Sequence, residues 1–90
     1  MVLGLMEGVG TIVGEQHRFP VRFWITVFSD RRGVWGKGKV ELPSLEAVKR
    51  VEGSRLALEL ENGQSMDVLV KSRGDDLVMS VESTGKVPGY

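Results

Sequence analysis

The sequence predicts an all-β domain, a small six-stranded antiparallel barrel or sandwich in the order βββ-α-βββ with one short helix. Three observations lead there. Between Phe19 and Val27 every second residue (Phe19, Val21, Phe23, Ile25, Val27) is apolar, the period of a strand with one buried face. Leu56, Leu58 and Leu60 repeat that period further along. Turn-forming clusters at Asp30-Arg31-Arg32-Gly33, Glu61-Asn62-Gly63 and Gly74-Asp75 separate the runs.

Ninety residues, 41% hydrophobic and 27% charged, make one globular domain over 1–90 with room for a single core. The chain has no cysteine, which removes disulfides, thiolate metal sites and thiol nucleophiles and places it by default in the cytoplasm. The first thirteen residues lack a basic segment and contain Glu7, so no signal peptide is expected, and no run approaches the ~20 apolar residues of a membrane span. No membrane role is expected. Twelve basic and twelve acidic side chains cancel, with six basic against four acidic in residues 1–45 (+2) and six against eight in 46–90 (−2). Duplex-DNA binders are usually clearly basic, so any nucleic-acid role must rest on a local patch.

In chain order, Val9 to Glu15 reads as a first strand whose glycines permit a bend. Gly8, Gly10 and Gly14 do not have the spacing of a dinucleotide fingerprint, and no helix pattern follows them. The second and third strands, Phe19–Phe28 and Val34–Leu42, form a hairpin whose apolar faces must meet. That condition sets Ser29 opposite Val34 around a four-residue loop, Val27 opposite Gly36, Ile25 opposite Gly38, Phe23 opposite Val40 and Val21 opposite Leu42, with Gly33 supplying a positive φ. Ser44 is the expected cap of a helix over residues 45–52 that buries Leu45, Val48 and Val51 and stops at Gly53. A two-residue Asn62-Gly63 turn would set Leu58 opposite Asp67. A three-residue loop with left-handed Gly63 instead pairs Leu58 with Met66 and Leu56 with Val68. A type II′ turn at Gly74-Asp75 then brings Val70 opposite Met79, Val68 opposite Val81 and Arg73 opposite Asp76. Residues 83–90 have no period and are expected to be a loose tail.

Six strands joined mostly by hairpin turns suggest closure into a barrel, since closure removes edges. A helix after the third strand is also where an OB-type barrel carries one; the sixth strand departs from that five-stranded pattern, and an SH3-like or split barrel fits as well.

Enzyme chemistry is not expected, and neither a metal nor any other cofactor is called for. His17 stands alone in a turn, no serine lies in a nucleophile elbow, Asp75-Asp76 supplies too few ligands for a cation, and Glu59 and Glu61 lie on an ordinary solvated strand face. The unusual surface is the outer face of the first hairpin. It carries Trp24, Phe28 and Trp35 among Arg22, Lys37 and Lys39, with Arg31 and Arg32 at its tip. Tryptophan and arginine are the residues of protein-contact hot spots, so the expected function is a binding or assembly module that self-associates or meets a protein partner through this face. The alternative is an OB-like binder of single-stranded nucleic acid, with bases stacked on the rings and phosphates on Arg31, Arg32, Lys37 and Lys39. Cover of the aromatics by the helix or by residues 1–6 would remove both.

Overall fold

The computed structural model describes residues 1–73 and 77–90. Six strands, β1 (Val2–Val13), β2 (Arg18–Asp30), β3 (Gly33–Glu41), β4 (Arg55–Leu60), β5 (Ser65–Arg73) and β6 (Val78–Ser83), and one helix, α1 (Leu45–Val51), follow in the expected order. They close an antiparallel barrel in the strand order β1-β2-β3-β6-β5-β4. Its core holds Val21, Phe23, Ile25 and Val27 of β2, met by Ile12, Val40, Leu58, Met66, Val68, Val70, Met79 and Val81.

The β2–β3 register is the one the apolar faces require, from Arg22 beside Glu41 to Ser29 beside Val34. It runs one pair further, to Asp30 beside Gly33, so the loop has two residues and not four. At the other end β3 stops at Glu41. Leu42 is buried and donates its N–H to the Leu77 carbonyl at 2.9 Å on the β6 side, while the pairing with β2 ends at Arg22 beside Glu41, one pair before Val21 and Leu42. Glycine is required at Gly38, where a Cβ would run into the Trp24 carbonyl and the Ile25 backbone.

The second hairpin also keeps its expected register, Leu58 beside Met66 and Leu56 beside Val68, with Gly63 at φ 86° closing the loop. The β5–β6 pairing differs. Val70 sits beside Val81 and Val68 beside Ser83, two residues away from the pairing expected from a tight turn at Gly74-Asp75. An irregularity between Val70 and Arg73 takes up the offset, and Arg73 lies beside Met79. A shift of two leaves the same residues facing inward, so the apolar pattern does not reveal it. The expected turn at Gly74-Asp75 and the position of Asp76 opposite Arg73 lie outside the described residues.

Ser44 accepts the Ala47 N–H at 3.1 Å and caps α1, while Glu46 and Arg50 pair one turn apart at 2.9 Å. The helix buries Ala47, Val48 and Val51. Leu45, expected inward, is 52% exposed, because the two-turn helix turns its i, i+1, i+4 stripe to the core and its first residue away. The tail is held at several points: Thr84 donates its N–H to the Asp67 carbonyl at 2.9 Å, Val87 is only 3% exposed, and the Tyr90 ring lies over Gly4.

β1 departs most from expectation, beginning at Val2 and ending at Val13 instead of spanning residues 9–15. Pairing with β2 places Gly4 beside Val27, Met6 beside Ile25, Gly8 beside Phe23 and Gly10 beside Val21. Opposed residues share a face, so the inward row of β1 is mostly glycine. Its larger residues, Leu5, Glu7 and Val9, therefore point out. The apolar-in pattern that identifies a strand is reversed here, which is why residues 2–8 do not read as one.

Two stability effects follow. Gly38→Ala forces the β2–β3 backbones apart and is expected to cost about 3 kcal/mol, the upper part of the overpacking range, measured as a lowered midpoint in urea unfolding. Ser44→Ala removes one cap and is expected to cost about 1 kcal/mol by the same measurement, with the slope unchanged.

Candidate functional site

The outer face of β1, β2 and β3 is ordered by the ladders beneath it. Across it run Val2, Phe28 and Trp35 in one row; Leu5, Thr26 and Lys37 in the next; then Glu7, Trp24 and Lys39; and finally Val9, Arg22 and Glu41. All seven residues singled out in the sequence lie on this face or at its tip. Trp24 is 38% exposed, Phe28 and Trp35 are half-buried, and Arg31, Arg32, Lys37 and Lys39 are exposed. Neither α1 nor residues 1–6 cover them, because the start of β1 lies beside β2 in the sheet.

The aromatics form two unlike groups. Phe28 and Trp35 stack with ring centroids 4.9 Å apart, and the Arg32 guanidinium lies 3.9 Å from the Trp35 centroid. Asp30 ties this cluster to the turn. Its carboxylate accepts the Arg32 N–H at 2.8 Å, the Trp35 indole N–H at 2.9 Å and the Arg32 guanidinium at 3.3–3.4 Å. The Arg32 backbone N–H, helped by the indole and the guanidinium, holds the Asp30 carboxyl below its ordinary value of 3.8. Arg32 also faces Glu82 at 3.8 Å, and Glu82 pairs with Lys71 at 3.1 Å. Trp24 stands apart from this cluster, with the Arg22 guanidinium 5.9 Å from its ring centroid.

Sequence reasoning missed the apolar neighbours of Trp24. Met1, Val2, Leu3, Leu5 and Val9 are all exposed, and Val2, Leu5 and Val9 share the outer face with Trp24. A signal was present: in residues 4–10 glycine occupies only even positions, and the residues between are Leu5, Glu7 and Val9. A strand with glycine on one parity packs closely on that side and displays its side chains on the other. Asp30 was also missed as a clamp, although an aspartate two residues before a turn N–H is a common partner for it.

Several depressions border the face, among them one of about 310 Å³ beside Trp24, between Glu7, Gly8 and Arg22. One of about 480 Å³ has Val9, Pro20, Pro43 and Leu60 on its walls with Arg22 and Glu41. Another of about 360 Å³ lies where β4 parts from β1, between Leu5, Gly8, Phe23, Leu60 and Asn62. Elsewhere His17 stacks on Phe19 at 5.8 Å and meets Arg50 at 3.3 Å, and Glu59 pairs with Arg18 at 2.8 Å. Among the described residues no group of three or more His, Asp or Glu is placed to hold a metal ion, and no helix is long and apolar enough to cross a membrane.

Comparison of the chain with protein-family models, with curated proteins and with solved structures finds no match.

The clamp makes a pH prediction. A carboxyl whose pKa is lowered by folding contributes stability above its unfolded value that is lost as pH falls through the folded one. The Trp35 indole N–H resonance is therefore expected to shift with a midpoint below 3.8 and to lose that transition in Asp30→Asn.

Proposed function

We propose that the protein is a non-enzymatic binding and assembly module whose contact surface is the outer face of β1 to β3, engaging a second copy or a protein partner. The observation that carries this reading is the row of exposed apolar side chains, Val2, Leu5, Val9 and Trp24, on one face of one sheet. Apolar patches of this kind on a small domain mark surfaces that another molecule covers. Its placement in the cytoplasm rests on the cysteine-free sequence alone.

The single-stranded nucleic-acid alternative draws less support from the same residues. Its stacking platform needs ring faces open to bases and cations open to phosphates. Phe28 and Trp35 already stack on each other, and Arg32 is engaged by Trp35, Asp30 and Glu82. Trp24 is the one aromatic of the three that is exposed, and its neighbours across the strands are Glu7 and Lys39.

The test is acrylamide quenching in Trp35→Phe, which leaves Trp24 as the sole tryptophan. As protein concentration rises from the low micromolar range, Trp24 is expected to become at least twofold less accessible, in step with an increase in mass by light scattering. Unchanged quenching and a monomer mass throughout would remove self-association. Protection appearing only with mixed oligonucleotides, and lost with added salt, would replace this reading with the nucleic-acid one.

A further inference from the structure

Closure of the barrel leaves part of β1 without a neighbour. β2 pairs with β1 along nearly its whole length, whereas β4 pairs with it only from Gly10 to Val13. Among the described residues no strand lies on the other side of residues 2–9. The direction of the backbone groups there follows from the hairpin. Gly14 donates its N–H to the His17 carbonyl at 2.9 Å, and this pair extends the β1–β2 register, so even-numbered residues of β1 bond to β2. Odd-numbered residues point the other way. At Thr11 and Val13 that side meets β4; at Leu5, Glu7 and Val9 the N–H and C=O groups meet no strand.

Such an edge is a template for another strand, and natural edges are usually guarded by lysine, proline or inward charge. Residues 2–9 contain neither lysine nor proline, and Glu7 is their one charge. The register irregularity between Val2 and Gly4 bounds the regular edge at one end, and Leu60 at the end of β4, beside Gly10, bounds it at the other.

We infer that this edge pairs with β1 of a second copy, antiparallel across a two-fold axis at Leu5, which joins the two sheets into one; the inference rests on the outer face being a contact surface. The edge is complementary to itself in that register. Leu5 meets Leu5 of the second copy, each with its free N–H and C=O aimed at the other. Met6 falls beside Gly4 of the second copy, over which the Tyr90 ring also lies, so its side chain packs against that ring. Glu7 falls beside Leu3 of the second copy, and the two Glu7 side chains stand about 13 Å apart along the strands. An axis at Glu7 would set like charges opposite each other, and an axis at Val9 would need Gly10, which Leu60 already occupies. A nearly uncharged, apolar edge calls for a nearly uncharged strand. The chain supplies one in β1 itself, and its net charge of zero adds no long-range repulsion between copies.

Leu5→Pro deletes an N–H that points away from β2 and exchanges the exposed leucine side chain for the smaller ring, so it is expected to be tolerated by the monomer but not by the paired edge. By light scattering and sedimentation of the full chain, the wild type is expected to dimerise and Leu5→Pro to weaken the dimer at least tenfold, with near-UV circular dichroism retained. Independently, Leu5→Cys is expected to form a disulfide dimer under mild oxidation. Thr26→Cys, one strand further from the axis on each side and so roughly 14 Å from its twin, is expected not to. A wild-type dimer that survives Leu5→Pro unchanged and is not trapped by Leu5→Cys overturns the edge pairing while leaving the contact-face reading intact. A wild type that stays monomeric with Trp24 unshielded overturns the edge pairing and self-association through this face together, leaving a protein partner as the face's occupant.

Discussion

The fold depends on one packing relation: the large inward residues of β2 are flanked by glycine on its neighbours. Val27 lies between Gly4 and Gly36, Ile25 between Met6 and Gly38, Phe23 between Gly8 and Val40, and Val21 beside Gly10. A six-stranded barrel is narrow and has no room for three large rows side by side. Giving the interior to β2 and taking side chains away from β1 and β3 lets three strands coil tightly enough to close. The same choice sends the side chains of β1 outward. The apolar surface at Leu5 and Val9 is thus a consequence of how the core is filled.

Strand length completes the effect. β1 and β2 have twelve and thirteen residues, whereas β4 has six and reaches β1 over only four. The barrel wall is complete at one end of β1, and beyond Gly10 the strand continues as the margin of an open sheet. Water satisfies the backbone groups of that margin at little cost, so its apolar side chains set the energetics. Val2 is 60% exposed, Leu5 59% and Val9 49%. Full burial of such a side chain stabilises by about 1.5–3 kcal/mol, so covering what remains open on these three contributes roughly 3–5 kcal/mol per copy. Association costs on the order of 4–15 kcal/mol in lost freedom. Side-chain burial alone therefore comes close to offsetting that cost without exceeding it comfortably, and paired backbone groups or Trp24 must supply the rest. The contact proposed for this surface would consequently be sensitive to concentration and to single residues.

What the sequence made legible follows from the same packing. The β2–β3 register could be read because Gly36 and Gly38 leave one arrangement in which large meets small, and the β4–β5 loop because a two-residue turn would have set Leu58 against Asp67. The start of β1 could not be read, because strand patterns are recognised by apolar residues on the buried parity and here that parity holds Gly4, Gly8 and Gly10. The β5–β6 offset was invisible because a two-residue slip preserves both faces. Leu45 was misplaced because in a helix of seven residues the buried stripe rests on three positions, and Ala47, a small residue, is one of them. The alternation placed Trp24, Phe28 and Trp35 on the outer face, but their division into two groups depends on Asp30, whose reach to Trp35 spans the turn and leaves no mark in the pattern.

That division separates the contributions of the aromatics. Phe28, Trp35, Arg32 and Asp30 satisfy one another: ring on ring, guanidinium over indole, and a carboxylate collecting three donors at the end of the β2–β3 hairpin. At the tip β1 flanks β2 through Val2 beside Phe28 and Met1 bonded to Ser29, while the β3–β6 ladder begins only at Lys37, and the cluster holds this end of the hairpin in shape. Its cations and rings are largely committed to that task. Trp24 lies two residues along β2 from Thr26, which faces Leu5, and four from Phe28; among the described residues no ring stacks on it, and it is 38% exposed. The cluster at the tip therefore belongs to the stability of the hairpin. The capacity for contact moves toward Trp24, Leu5 and Val9, where apolar surface and an unpaired strand edge coincide.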